Sequence, residues 1–97
     1  MGHARQRPKR LAEKLLQIRL ALGLSQTEMH RRLDVEDEIL YTRISDYELD
    51  KGEPTLMILL RYARVAGVSM EALVDDELDL PAKLRPFKAI SLSRPTG

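Results

Sequence analysis

Apolar side chains recur at helical spacing along most of the chain. Leu11, Leu15, Ile18 and Leu22 mark one face of a first helix, predicted over residues 9–22. Gly23 follows, where a helix most readily closes in a left-handed residue. Ser25 with Glu28 reads as a capping box that opens a short second helix near Gln26. Met29 and Leu33 are its inward residues, and Asp34 ends it. Val35-Glu36-Asp37-Glu38 reads as a polar, acidic turn. Leu40, Ile44 and Tyr47 resume the helical period and predict a third helix over 39–49. Asp50-Lys51-Gly52-Glu53-Pro54 breaks the pattern again. Thr55 caps a fourth helix with the stripe Leu56, Leu59, Leu60 and Ala63, ended by Gly67. Val68 and Ser69 reopen a fifth, with Met70, Leu73 and Val74 facing in. The period fades from Leu78, and Pro81, Pro86 and Pro95 argue against a long helix there. No segment alternates as a strand and no internal repeat is visible, so the class is all-α.

A chain of 97 residues allows one core, small enough that pairing with a second copy would add stability. The absence of cysteine excludes a disulfide framework and a thiolate metal site, and suits the cytoplasm. No apolar run approaches the roughly 20 residues that span a bilayer. Met1 to Arg10 is basic with no apolar stretch behind it, unlike a secretory signal. Aromatics are few, which argues against a β-sandwich and against a surface that stacks single-stranded bases.

The net charge of +1 conceals a segregated distribution. Residues 1–32 carry eight Lys/Arg and two Asp/Glu, a net +6, whereas residues 33–53 carry two and eight, a net −6. Residues 54–79 contribute −3 and the remainder +4. Such segregation presents a basic face to a polyanion, or is an ordinary set of solvated faces; charge alone does not choose. No nucleophile–base constellation, glycine-rich phosphate loop or serine elbow is present, so nothing supports an enzyme. Glu36-Asp37-Glu38 lacks the spacing and turn glycine of a calcium loop and reads as solvated. His3 and His30, without cysteine, do not make up a transition-metal ligand set within one chain. No cofactor is expected.

Three segments carry a family likeness: Arg19-Leu-Ala-Leu-Gly-Leu-Ser-Gln26, Ile44-Ser-Asp-Tyr-Glu48 followed by Gly52-Glu-Pro-Thr55, and Leu59-Leu-Arg-Tyr-Ala-Arg-Val-Ala-Gly-Val-Ser69. At their mutual spacing they resemble the Cro/repressor-type, or XRE, helix-turn-helix proteins, over about Lys9 to Val74. The resemblance implies an all-α, five-helix, lambda-repressor-like domain over 9–77, with helices two and three forming the helix-turn-helix. A basic arm, 1–8, precedes it and a tail, 78–97, follows. The implied function is sequence-specific binding of double-stranded DNA by a homodimeric transcriptional regulator, a repressor, in the cytoplasm and without a membrane partner.

The same resemblance assigns roles. Gln26 and Thr27 stand at the start of the second helix, where backbone N–H groups and the helix dipole favour a phosphate, or where they serve only the helix start. Arg19 and Glu48 form a bidentate pair that fastens the recognition helix to the body. Tyr41, Thr42 and Arg43 lead into the major groove, Ser45 and Asp46 follow on the exposed side, and Lys51 lies at the exit. Arg43 is suited to guanine or to a phosphate, and Thr42 to a thymine methyl or a phosphate. Asp46 either accepts from cytosine or pairs locally. Ile44 and Tyr47 belong to the core. Arg5, Arg7, Lys9 and Arg10 give the arm a weak electrostatic role.

Three departures from the family pattern share one junction. His30 replaces a small residue, Asp34 replaces a glycine, and the turn before the third helix is about four residues longer. A longer turn relieves crowding between the two helices, and aspartate tolerates the left-handed region better than most residues. The departures leave the first residue of the recognition helix open by a few positions. The acidic stretch 34–53 and the apolar tail residues Leu80, Leu84, Phe87, Ile90 and Leu92 suit a second function class, a protein-interaction module such as the antitoxin of a toxin–antitoxin pair.

Overall fold

The computed structural model describes residues 7–84. His3 and Arg5, together with Phe87, Ile90 and Leu92, lie outside the described residues. Five helices follow one another: α1 (Leu11–Leu22), α2 (Gln26–Arg32), α3 (Thr42–Glu48), α4 (Leu56–Ala66) and α5 (Met70–Val74), with no strand among the described residues.

The helix ends show why the chain breaks where it does. Gly23 and Gly67 take left-handed conformations after α1 and α4, at φ 71° and 73°. In each case the glycine N–H and the next one close on the last turn: Gly23 on Leu20 O and Leu24 on Arg19 O, Gly67 on Arg64 O and Val68 on Ala63 O. Two aspartates do the same work after α2 and α3, Asp34 at φ 59° and Asp50 at φ 60°. Asp34 thus adopts the conformation for which the family uses glycine. Ser25, Thr55 and Ser69 accept N–H bonds at the starts of α2, α4 and α5, and Ser25 with Glu28 completes the capping box. That box holds the Glu28 carboxyl below the ordinary carboxylate range, chiefly through its bonds from Ser25.

One core unites the helices. Leu11, Leu15 and Ile18 of α1 meet Met29 of α2 and Leu33 just after it, Ile44 and Tyr47 of α3, Ile58, Leu59, Tyr62, Ala63 and Ala66 of α4, and Leu73 of α5. Leu80, from the predicted tail, is also buried in this core, and Leu84 packs against it.

Several sequence expectations are corrected. The first helix begins at Leu11 rather than at residue 9, because the Lys9 and Arg10 amides are taken by the Asp76 carboxylate at 2.9 and 3.0 Å. These bonds hold the Asp76 carboxyl below its usual range. The third helix spans only Thr42–Glu48, and Leu40, expected in the core, is 73% exposed. Val35, expected in a polar turn, is fully buried and takes that apolar role, with Ile39 packed beside it. The inward face of α4 is turned from the expected one: Leu56 is 70% exposed, whereas Ile58 and Tyr62 are buried. Val74, expected to face in, is exposed on the last turn of α5.

Tyr62 is fully buried, and its hydroxyl has no hydrogen-bond partner among the described residues. Burial raises its pKa above the ordinary phenol value. An unpaired buried hydroxyl costs about 1–3 kcal/mol. Tyr62→Phe is therefore expected to leave the melting temperature unchanged or to raise it. A loss above about 1 kcal/mol in chemical denaturation would instead identify a hydrogen bond that the hydroxyl makes in solution.

Candidate nucleic-acid interface

The turn between α2 and α3 is lengthened but tightly built. Val35 anchors it in the core, and the Glu38 and Ile39 amides return to Val35 O at 2.9 and 3.0 Å. His30, almost fully buried, places Nε2 2.6 Å from Ile39 O, so the large residue at this junction becomes a tether for the inserted segment. Arg61 of α4 donates to the Leu33 and Asp34 carbonyls at 3.1 and 2.9 Å, finishing α2 from outside. The same guanidinium lies 3.6 Å from Asp34 and 4.0 Å from Glu38, and Arg31 lies 3.9 Å from Glu36. The acidic turn is thus partly neutralised by its own neighbours.

Behind α3, Arg19 reaches across from α1. Its Nε and Nη2 donate to the two Glu48 oxygens at 2.6 and 3.0 Å, and its Nη1 donates to Leu24 O at 3.0 Å. The side chains are 15% and 4% exposed, so the pair is largely shielded from water. Gln26 Nε2 adds a third bond to the carboxylate, at 3.1 Å. Glu48 thereby joins the end of α1, the start of α2 and the end of α3. The expected position of Gln26 at the start of α2 is observed, and its amide is directed to Glu48. Thr27 is exposed beside it.

On the outer side, Tyr41, Thr42 and Arg43 are exposed at the start of α3. Ser45 and Asp46, expected on the exposed side, are half-buried. Ile44 and Tyr47 point into the core. Arg43 lies along its own helix: Nη1 donates to Asp46 Oδ2 at 3.1 Å, and Cζ sits 5.5 Å from the centroid of the Tyr47 ring. Of the two sequence readings of Asp46, the structure displays the local pair. Lys51 is exposed, with its amide closing α3 on Asp46 O at 2.8 Å. Arg7 Nη2 meets Asp50 Oδ1 at 3.0 Å, which brings the described end of the basic arm beside the exit of α3.

Sequence reasoning missed Lys14. It is fully buried in α1, and its Nζ donates to Ala72 O and Asp75 O at 2.7 and 2.9 Å, closing the end of α5. The signal was positional: residue 14 is three after Leu11 and four before Ile18, on the buried stripe. Among the described residues, no group of three or more His, Asp or Glu side chains is placed to hold a metal ion. No described helix is long and apolar enough to cross a membrane.

A short helix fastened from behind and exposed at its leading end, preceded by a second short helix, is the arrangement of a helix-turn-helix. A helix-turn-helix family model matches residues 15–73, from within α1 to within α5. The chain belongs to this family. As an XRE-type helix-turn-helix protein, it is a DNA-binding transcriptional regulator. The family is regulatory rather than enzymatic. No match is found among curated proteins or among solved structures.

Proposed function

We propose that this XRE-type regulator is a cytoplasmic repressor that binds a near-palindromic operator as a homodimer. The observation that carries the proposal is the exposed leading end of α3, Tyr41-Thr42-Arg43, held rigidly by Glu48 and its partners. Base reading falls to Tyr41, Thr42 and Arg43. Phosphate contacts fall to Gln26 and Thr27 at the head of α2, to Ser45, and to Lys51 at the exit of α3. The Arg7–Asp50 pair supports a phosphate role for the basic arm, residues 1–8, against the same duplex. The body, 9–77, carries the reading helix, and the tail, 78–97, returns to its core through Leu80 and Leu84. Pairing is supported by Leu49, Leu56 and Met57, apolar and exposed where α3 gives way to α4. A second copy covering them would set two reading helices side by side.

Selection of sites from random duplex DNA tests the proposal. Two half-sites about one helical turn apart are expected, with affinity falling steeply as salt rises through counterion release. No enrichment by a folded protein would overturn the operator reading and favour the protein-interaction module.

A further inference from the structure

We propose that Asp46 is a positioning residue that holds the Arg43 guanidinium over Gly52 as a preformed fork for guanine. The proposal rests on the reading of α3 as the recognition helix and adds the base it reads and how.

Two contacts, and the lack of a side chain at Gly52, place Arg43. Asp46 Oδ2 accepts from Nη1 at 3.1 Å, and the Tyr47 ring centroid lies 5.5 Å from Cζ. At Gly52, a Cβ would stand 3.3 Å from Nη2, 3.4 Å from Nη1 and 3.6 Å from Cζ. The two Nη atoms are nearer to that position than Cζ, so the glycine faces the Nη edge of the guanidinium. With Nη1 held by Asp46 and the Nη edge turned to Gly52, the in-plane pair formed by Nε and Nη2 is the fork left for a base. Asp46 engages one of five donors. What remains matches the paired acceptors O6 and N7 of guanine, whereas adenine sets a donor beside its N7 and repels one arm of the fork.

The pair does little for the fold. The Arg43 and Asp46 side chains are 45% and 37% exposed, where an ion pair is screened and contributes little stability. A carboxylate beside the DNA-facing end of α3 also repels phosphates. Its benefit is geometric: an arginine held before binding loses less side-chain freedom when it meets a base. Gly52 completes the arrangement, since any side chain there would press on the guanidinium.

The test uses the duplex selected by the wild-type protein and versions with each guanine replaced in turn, titrated with the wild type, Arg43→Ala, Asp46→Ala, the double variant and Gly52→Ala. Arg43→Ala is expected to cut discrimination at one guanine roughly tenfold or more. Asp46→Ala is expected to cut it at the same guanine while tightening binding to unrelated DNA, and to change discrimination no further in the Arg43→Ala background. Gly52→Ala should relax that same position with unchanged thermal unfolding. Full discrimination by Asp46→Ala overturns the proposal and leaves the recognition helix standing. Relaxation at a different base pair also overturns it, since Asp46 would then read a base itself. A wild-type protein that selects no site removes the recognition-helix reading and this inference together.

Discussion

Arg19→Ala is expected to destabilise the domain by about 3–5 kcal/mol, a large share of the 5–15 kcal/mol that holds a typical small domain together. The reason is the charge left behind. Glu48 is 4% exposed and accepts from Arg19 through both oxygens. Without the guanidinium it keeps, among the described residues, Gln26, a neutral donor at 3.1 Å. Leu24 O also loses its donor at the turn between α1 and α2. Arg19→Lys should recover only part of the loss, because an ammonium cannot bridge two oxygens in one plane. Replacing both partners by apolar residues, Arg19→Met with Glu48→Leu, should restore much of it, since no buried charge then lacks a partner. Urea denaturation of the four proteins gives the comparison. A loss below about 1 kcal/mol in Arg19→Ala would show that water reaches the pair, as it does in surface ion pairs. Because Glu48 sits at the end of the reading helix, the single variant is also expected to lose DNA affinity in step with folded population, with base preference unchanged.

The same pair shows how the sequence could be read at all. Its partners are 29 residues apart, and local chemistry does not join them; the likeness to a known family did. Local chemistry did supply the helix ends, since Gly23, Ser25, Thr55, Gly67 and Ser69 act through their own backbone or hydroxyl. Helix faces were less legible. In α4 nearly every residue from Leu56 to Ala66 is apolar, so several stripes satisfy the period equally. Tertiary packing chose the one containing Ile58 and Tyr62. The inserted turn misled for a different reason. A single Val35 among acidic neighbours gave no period, yet full burial of its side chain fixes the path of the segment and moves the start of α3 to Thr42.

The candidate site divides along similar lines. Residues exposed at the start of α3 were located through the family likeness, since helical phase separates Arg43 from Ile44 but, four residues on, not from Tyr47. Their contacts were not. That Arg43 lies over Gly52 depends on the course of the exit loop, which the left-handed Asp50 directs. That His30 reaches Ile39 O depends on an insertion whose conformation no short-range rule specifies. Polar side chains that bind distant backbone carbonyls were the main omission, and Lys14 is the extreme case.

Lys14→Met is the second large expected effect, at about 2–4 kcal/mol of lost stability. Methionine keeps most of the volume and the apolar contacts along α1, so the change isolates the ammonium group. Its removal takes donors from Ala72 O and Asp75 O at the end of α5, where a cation also meets the negative end of the helix dipole. Asp75 O retains the Leu78 amide at 3.0 Å, which limits the loss at that carbonyl. The following segment is tied to the start of α1 independently. Asp76 caps the Lys9 and Arg10 amides, and Arg10 reaches Asp76 O at 2.9 Å and Asp79 Oδ1 at 2.7 Å. Local opening should therefore be confined to the end of α5. In hydrogen exchange, Asp75, whose amide bonds Glu71 O, should lose protection in Lys14→Met, while the Arg10 amide keeps its own. Lys14→Ala should cost more, because it adds a cavity beneath Leu11 and Ile18. Equal stability of Lys14→Met and the wild type would mean that the desolvation of the ammonium cancels its two bonds. The buried lysine would then serve to specify the α1–α5 packing rather than to strengthen it.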